Sequence, residues 1–71
     1  MRAGLVTKII KEKGCGFILI PKPRQTVYFR LADCEDSLRV NDTVVFDLEQ
    51  TDSQVKAINI QKFEKWKKSL N

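Results

Sequence analysis

The residues in this 71-residue chain that could do chemistry are cations and rings at alternating positions. Lys13-Gly14-Cys15-Gly16-Phe17-Ile18 and Val27-Tyr28-Phe29-Arg30 each set a basic residue close to an aromatic ring. In an extended strand alternate side chains share a face, so Val27 and Phe29 take one side and Tyr28 and Arg30 the other. With Phe17 on the same outer face as Tyr28, two rings stand beside Lys13 and Arg30, offering flat π surfaces for stacking and cations for phosphate. Arg30 suits both tasks, since a guanidinium pairs with phosphate and stacks flat on a ring. Gly14 and Gly16 are expected to let this strand's backbone be approached closely. They lack the third glycine and following helix of a dinucleotide fingerprint.

Other chemistries lack their residues. The chain has no histidine and two cysteines, Cys15 and Cys34, which leaves no four-ligand zinc set, no disulfide framework and no histidine-based nucleophile pair. Asp33, Glu35 and Asp36 cluster, but nothing else a metal or acid–base site needs accompanies them, so they read as a solvated loop. Neither an enzyme nor a cofactor is expected.

A sheet must hold these residues. Leu5 to Ile10, Cys15 to Ile20 and Thr26 to Leu31 are short segments rich in β-branched and aromatic residues, separated by Lys11-Glu12-Lys13-Gly14 and by Pro21-Lys22-Pro23. Neither proline can donate to a ladder, so both are assigned to the turn between the second and third strands. After a loop through Ser37, Val44, Phe46 and Leu48 alternate with Val45, Asp47 and Glu49, the pattern of a fourth strand with one wet face. A fifth strand near residues 54–61 is expected to turn Ile58 and Ile60 inward. Five strands without a long helix among them predict an all-β fold, a small closed antiparallel barrel.

Residues 1–62 are read as this barrel and residues 63–71 as a basic amphipathic segment able to form one short helix. Phe63, Trp66 and Leu70 recur at helical spacing with Lys62, Lys65, Lys67 and Lys68 between them. Two readings stand for this stripe: it packs on the barrel, or Trp66 is a stacking platform among phosphate-binding lysines. Charge is also divided along the chain. Residues 1–30 carry seven Lys and Arg against one acid, residues 31–61 carry two against seven, and the last ten carry four against one. A basic N-terminal half followed by an acidic middle can fold into a two-faced molecule whose basic side meets an anion.

Taken together, the chain resembles the cold-shock domain family, five-stranded OB-fold barrels that bind single-stranded nucleic acid. The likeness runs from Gly4 to about Ile60. It rests on Gly4-Leu5-Val6, on Lys13-Gly14-Cys15-Gly16-Phe17-Ile18 and Val27-Tyr28-Phe29-Arg30-Leu31 at the family's two nucleic-acid motifs, and on Val44-Val45-Phe46 and Ala57-Ile58-Asn59-Ile60. The chain departs from the family pattern at Lys8 and Ile9, which replace a tryptophan and a phenylalanine. Cys15 and Leu31 each replace a phenylalanine and Arg30 replaces a histidine, so that only Phe17 and Tyr28 keep the aromatic platform. Cys15 reads as a small apolar substitute.

The resemblance implies binding of single-stranded RNA or DNA without catalysis. Lys8, Lys13 and Arg30 would engage phosphates, Phe17 and Tyr28 would stack bases, and Lys56 lies near the family's basic contact on the last strand. Base stacking is worth roughly 1–3 kcal/mol per base, so loss of several rings moves binding from stacking towards charge. The rival expectation is a barrel that has lost nucleic-acid binding and meets a protein through its acidic loop or the Phe63-Trp66-Leu70 stripe. Two lone cysteines, no apolar run of membrane length and no secretory leader fit a soluble cytoplasmic monomer.

Overall fold

The structure, a computed structural model, describes residues 1–70; the last residue of the C-terminal segment, Asn71, lies outside the described residues. Five strands form the body: β1 (Arg2–Ile10), β2 (Cys15–Pro21), β3 (Arg24–Arg30), β4 (Thr43–Gln50) and β5 (Val55–Lys62), followed by the helix α1 (Phe63–Ser69). They close in the order β1-β2-β3-β5-β4, with β4 pairing back to β1. The pairing is mixed: every contact is antiparallel except β3–β5, which is parallel. Parity requires this departure from the all-antiparallel expectation, because an odd number of strands in a closed ring cannot alternate in direction all the way round.

The core is one cluster containing Val6, Ile18, Ile20, Val27, Phe29, Leu38, Val44, Phe46, Ala57 and Ile60. Two phenyl rings, Phe29 and Phe46, are its largest fully buried side chains. The barrel is too narrow to hold both against full-sized neighbours. A Cβ on Gly16 would stand 2.7 Å from the Phe29 ring and 2.5 Å from the Lys8 carbonyl oxygen, and a Cβ on Gly4 would stand 2.6 Å from Ile18. Gly16 therefore makes room for a ring inside the barrel, whereas the sequence had assigned it to close approach from outside. Gly14 plays a different part. It ends the 3-10 turn Lys11–Lys13 with φ at 65°, in the left-handed region that glycine enters at little cost.

Two bulges break the strict alternation used to read the sequence. In β1, Val6 faces Ile18 and Lys8 faces Phe17, so Thr7 is an extra residue whose hydroxyl donates to the Phe17 carbonyl at 3.3 Å. In β5, two residues separate Ile58 from Gln61 while one separates Asp47 from Val45, and Asn59 sits there with φ at 53°. This extra residue turns Ile58 out of the core, contrary to expectation, and leaves Ala57 and Ile60 as the fully buried pair.

Smaller departures follow from packing. Pro21 ends β2 opposite Arg24, and the turn is reduced to Lys22-Pro23. Leu38, just past the loop read through Ser37 and assigned to no element, is buried in the core. Val45 on the side of β4 expected to be wet is buried, and α1 packs on β4 and β5. Phe63 and Trp66 are half-buried with ring centroids 5.9 Å apart, while Leu70 is 64% exposed and does not join them. The apolar stripe is thus two residues long, because the helix ends at Ser69. Lys65 ties α1 to Asp36 at 3.1 Å, and Lys62 reaches Asp42 at 3.9 Å.

Replacing Gly16 by alanine should force the Phe29 ring and β1 apart and cost about 1–3 kcal/mol, lowering the thermal midpoint by several degrees or more in a domain of this size. The helix attachment has a pH signature. The Lys65 hydrogen bond holds the Asp36 carboxyl below its ordinary value of 3.8, so the contribution is present at neutral pH and lost as pH falls through the depressed value. Acidification should shift the emission of Trp66, the single tryptophan, towards that of water-exposed indole, and Asp36→Asn should move the emission that way already at neutral pH.

Candidate nucleic-acid interface

The register of the sheet assembles four of the six expected residues into one cross-strand row. Lys8 faces Phe17, Phe17 faces Tyr28, Tyr28 faces Lys56, and Lys56 faces Glu49. Residues directly opposite one another point to the same side of a sheet, so the row lies on the outer surface above the core residues Phe29 and Ala57. At the usual strand spacing, Lys8 and Lys56 are roughly 14 Å apart, with the two rings between them. Lys8 reaches this face because of the Thr7 bulge. Strict alternation from Gly4 and Val6 would aim it into the barrel.

Phe17 and Tyr28 are half-buried and meet edge to face, with ring centroids 6.2 Å apart and planes at 67°. Such pairs are worth roughly 0.5–1.5 kcal/mol beyond their buried area, which holds both rings in place before any ligand arrives. The angle between the rings means that two groups stacked on them would not lie parallel.

A second row, one step along the strands, runs Ile10, Cys15, Arg30. Cys15 is buried in this row, on the outer side of the sheet between its neighbours. Lys13 is exposed in the turn at this same end of the sheet.

The cations differ in their availability. Among the described residues, neither Lys8 nor Lys13 has a carboxylate within ion-pair distance. Arg30 donates through Nε to Asp33 at 3.2 Å, and this hydrogen bond followed by the charge of Asp33 raises the guanidinium pKa. Lys56 lies 3.4 Å from Glu49 and is the more buried partner. Sequence reasoning named both cations as site residues and paired neither Asp33 nor Glu49 with them. The Arg30–Asp33 spacing was visible as i,i+3, but the Lys56–Glu49 pairing depends on the β4–β5 register.

Residues weighed for other roles lie elsewhere. Trp66 sits on α1 against β4 and β5, with Lys65 and Lys62 engaged by Asp36 and Asp42. The Cys34 thiol is pushed up to about 11, by burial first and then by Asp33 and Asp36, so it stays protonated at neutral pH and is a poor nucleophile. Its Sγ lies 3.8 Å from the Arg30 carbonyl oxygen. A groove of about 700 Å³ opens beside it, lined by Ile9, Lys11, Leu31, Leu38 and Arg39 among others.

The face assignment gives adjacent residues of β3 opposite weights. Tyr28→Ala should leave a folded barrel at a cost of about 1–2 kcal/mol, whereas Phe29→Ala should cost about 3–5 kcal/mol and leave little stability, as urea titration of both variants would measure.

No protein-family model matches the sequence, and no curated protein matches it. Solved structures do match. A Drosophila Unr structure of cold-shock domains (CSD456) superimposes with a TM-score of 0.75 over 87% of this chain at 22% identity. This chain spans 26% of the length of that one. With the closed barrel and the parallel pairing of β3 with β5, this likeness gives the chain the fold of a cold-shock domain, an OB-fold barrel of five strands.

Proposed function

We propose that this chain is a non-catalytic module that binds single-stranded RNA or DNA on the outer face of β1, β2 and β3. The observation that carries this reading is the row Lys8-Phe17-Tyr28-Lys56, in which two pre-set rings lie between cations on a continuous sheet surface. Bases stack on Phe17 and Tyr28. Phosphates meet Lys8 at one edge, Lys56 at the other, and Arg30 and Lys13 at the turn end. A ring accepts any base, so this chemistry favours single strands whose bases are free to stack and places little demand on sequence. The cold-shock-domain fold of the Unr structure supports the same reading.

A protein-docking role for the acidic segment has less to work with. Asp33, Asp36 and Asp42 each make an ion pair within the chain, and Phe63 and Trp66 are partly covered where α1 packs.

Titration of a fluorescent oligonucleotide at several salt concentrations tests the proposal. With about three of the four cations Lys8, Lys13, Arg30 and Lys56 on phosphates at any one time, at roughly −0.7 each, log K against log salt should have a slope near −2. Phe17→Ala and Tyr28→Ala should each weaken binding by about 1–3 kcal/mol at every salt concentration, while Arg30→Ala should also flatten the slope. Binding that ignores both salt and the two rings would overturn the assignment.

A further inference from the structure

Resting on that reading, we infer that the binding face includes a third base subsite, an apolar cleft where β1 and β2 part. One further base of the same nucleic acid lies there against Leu5 and Leu19, with its phosphate at Arg24. On the outer side of the sheet Leu5 stands opposite Leu19, and Leu19 opposite Thr26. Leu19 is two residues past Phe17, and Thr26 two before Tyr28. This row therefore runs beside the rings on the same face, roughly 7 Å away at the usual rise of a strand. One row further, Pro21 stands opposite Arg24. An oligonucleotide that stacks on the rings and continues in the direction of β2 meets these residues next.

The cleft has a local cause. Pro21 has no N–H to donate, and the ladder between β1 and β2 ends at Leu5 and Leu19. β1 continues beside β4, where Thr43 stands opposite Leu5, while β2 turns away with β3. The parting strands leave a hollow of about 280 Å³ lined by Ala3, Gly4, Leu5, Leu19, Pro21 and Thr43. Its side chains are aliphatic apart from the Thr43 hydroxyl. Leu5 is 36% exposed and Leu19 half-buried, so the apolar wall is open to solvent.

Charge selects the occupant. No acid stands in the row from Thr43 to Thr26 or in the row that ends at Arg24. Lys22 and Arg24 are exposed at this end of the sheet and, among the described residues, have no carboxylate within ion-pair distance. Aliphatic side chains take the flat face of a base, and a neighbouring guanidinium takes the phosphate that comes with it. An apolar peptide would make no use of the two cations. The hollow falls just short of the usual range for sites that hold whole small molecules, about 300–1,000 Å³, which is the scale of a single base.

A length series of oligothymidylates tests the subsite. Affinity should rise with each added nucleotide until the rings and the cleft are filled. A variant carrying both Leu5→Thr and Leu19→Thr keeps strand propensity and loses most of the apolar wall. It should match the parent on short oligonucleotides, reach its plateau one nucleotide sooner and bind long ones about fivefold more weakly. Arg24→Gln should lower the same step. It should also remove a steepening of the salt slope by about 0.7 that the parent shows for oligonucleotides long enough to reach Arg24. Methyl NMR of the parent needs no variant: the ring current of a base in the cleft should shift the Leu5 and Leu19 signals with long oligonucleotides and leave them in place with short ones.

Equal affinities of the parent and the double variant at every length, with unmoved Leu5 and Leu19 methyl signals, would overturn the subsite while dependence on Phe17 and Tyr28 stands. The cleft would then be left to a protein segment. Failure of the parent to bind any length at low salt would instead overturn the binding reading itself, and the subsite with it.

Discussion

The space inside a five-stranded barrel is the constraint on which this molecule depends. Phe29 and Phe46 fill the centre, and each needs a neighbouring strand that comes close without a side chain in the way. Gly16 gives that room to Phe29, and Gly4 gives it first to Ile18 and then to Phe46. Close packing makes these positions intolerant of a single added methyl group, since a ring inside a closed sheet has nowhere to retreat. The outer surface follows from the inner one. Once Phe29 and Gly16 are fixed inward, their neighbours Tyr28 and Phe17 must stand outward and side by side.

Barrel closure also demands that the strands bend, and the bends decide which side chains reach the surface. β1 pairs with β4 as far as Leu5, and Val6 then exchanges hydrogen bonds with Asn41 and Asp42. Immediately afterwards Thr7 bulges and β1 continues beside β2 alone. That one extra residue carries Lys8 from the inside to the outside and brings Ile9 against the core. Asn59 does the same in β5, where it turns Ile58 outward and keeps Ile60 in. Both bulges reconcile a short barrel's curvature with its hydrophobic pattern.

Charge is arranged on this frame with acids set against cations at short range. Asp33 and Glu49 meet the cations of the proposed binding face, and Asp36 and Asp42 meet those of the C-terminal segment. The positive N-terminal segment and negative middle segment seen along the chain therefore partly cancel in three dimensions. Among the described residues, Lys8 and Lys13 are the cations of the Phe17–Tyr28 site that have no ion-pair partner. Exposed pairs of this kind add little to stability.

The sequence by itself determined the strands, the barrel and the rings. Period-two patterning in residues 27–30 and 44–49 and the turn chemistry at Gly14 and Pro23 are local signals, and the Phe17–Tyr28 pair follows from two motifs that each read correctly alone. Only the tertiary structure decided the parallel β3–β5 contact, the outward turn of Lys8 and Ile58, the burial of Leu38, the exposure of Leu70 and the pairing of Lys56 with Glu49. The parallel contact follows from closing an odd number of strands into a ring. The others depend on register, bulges and the packing of distant segments, which local periodicity does not encode, because they arise when the barrel closes and each strand must fit two neighbours at once.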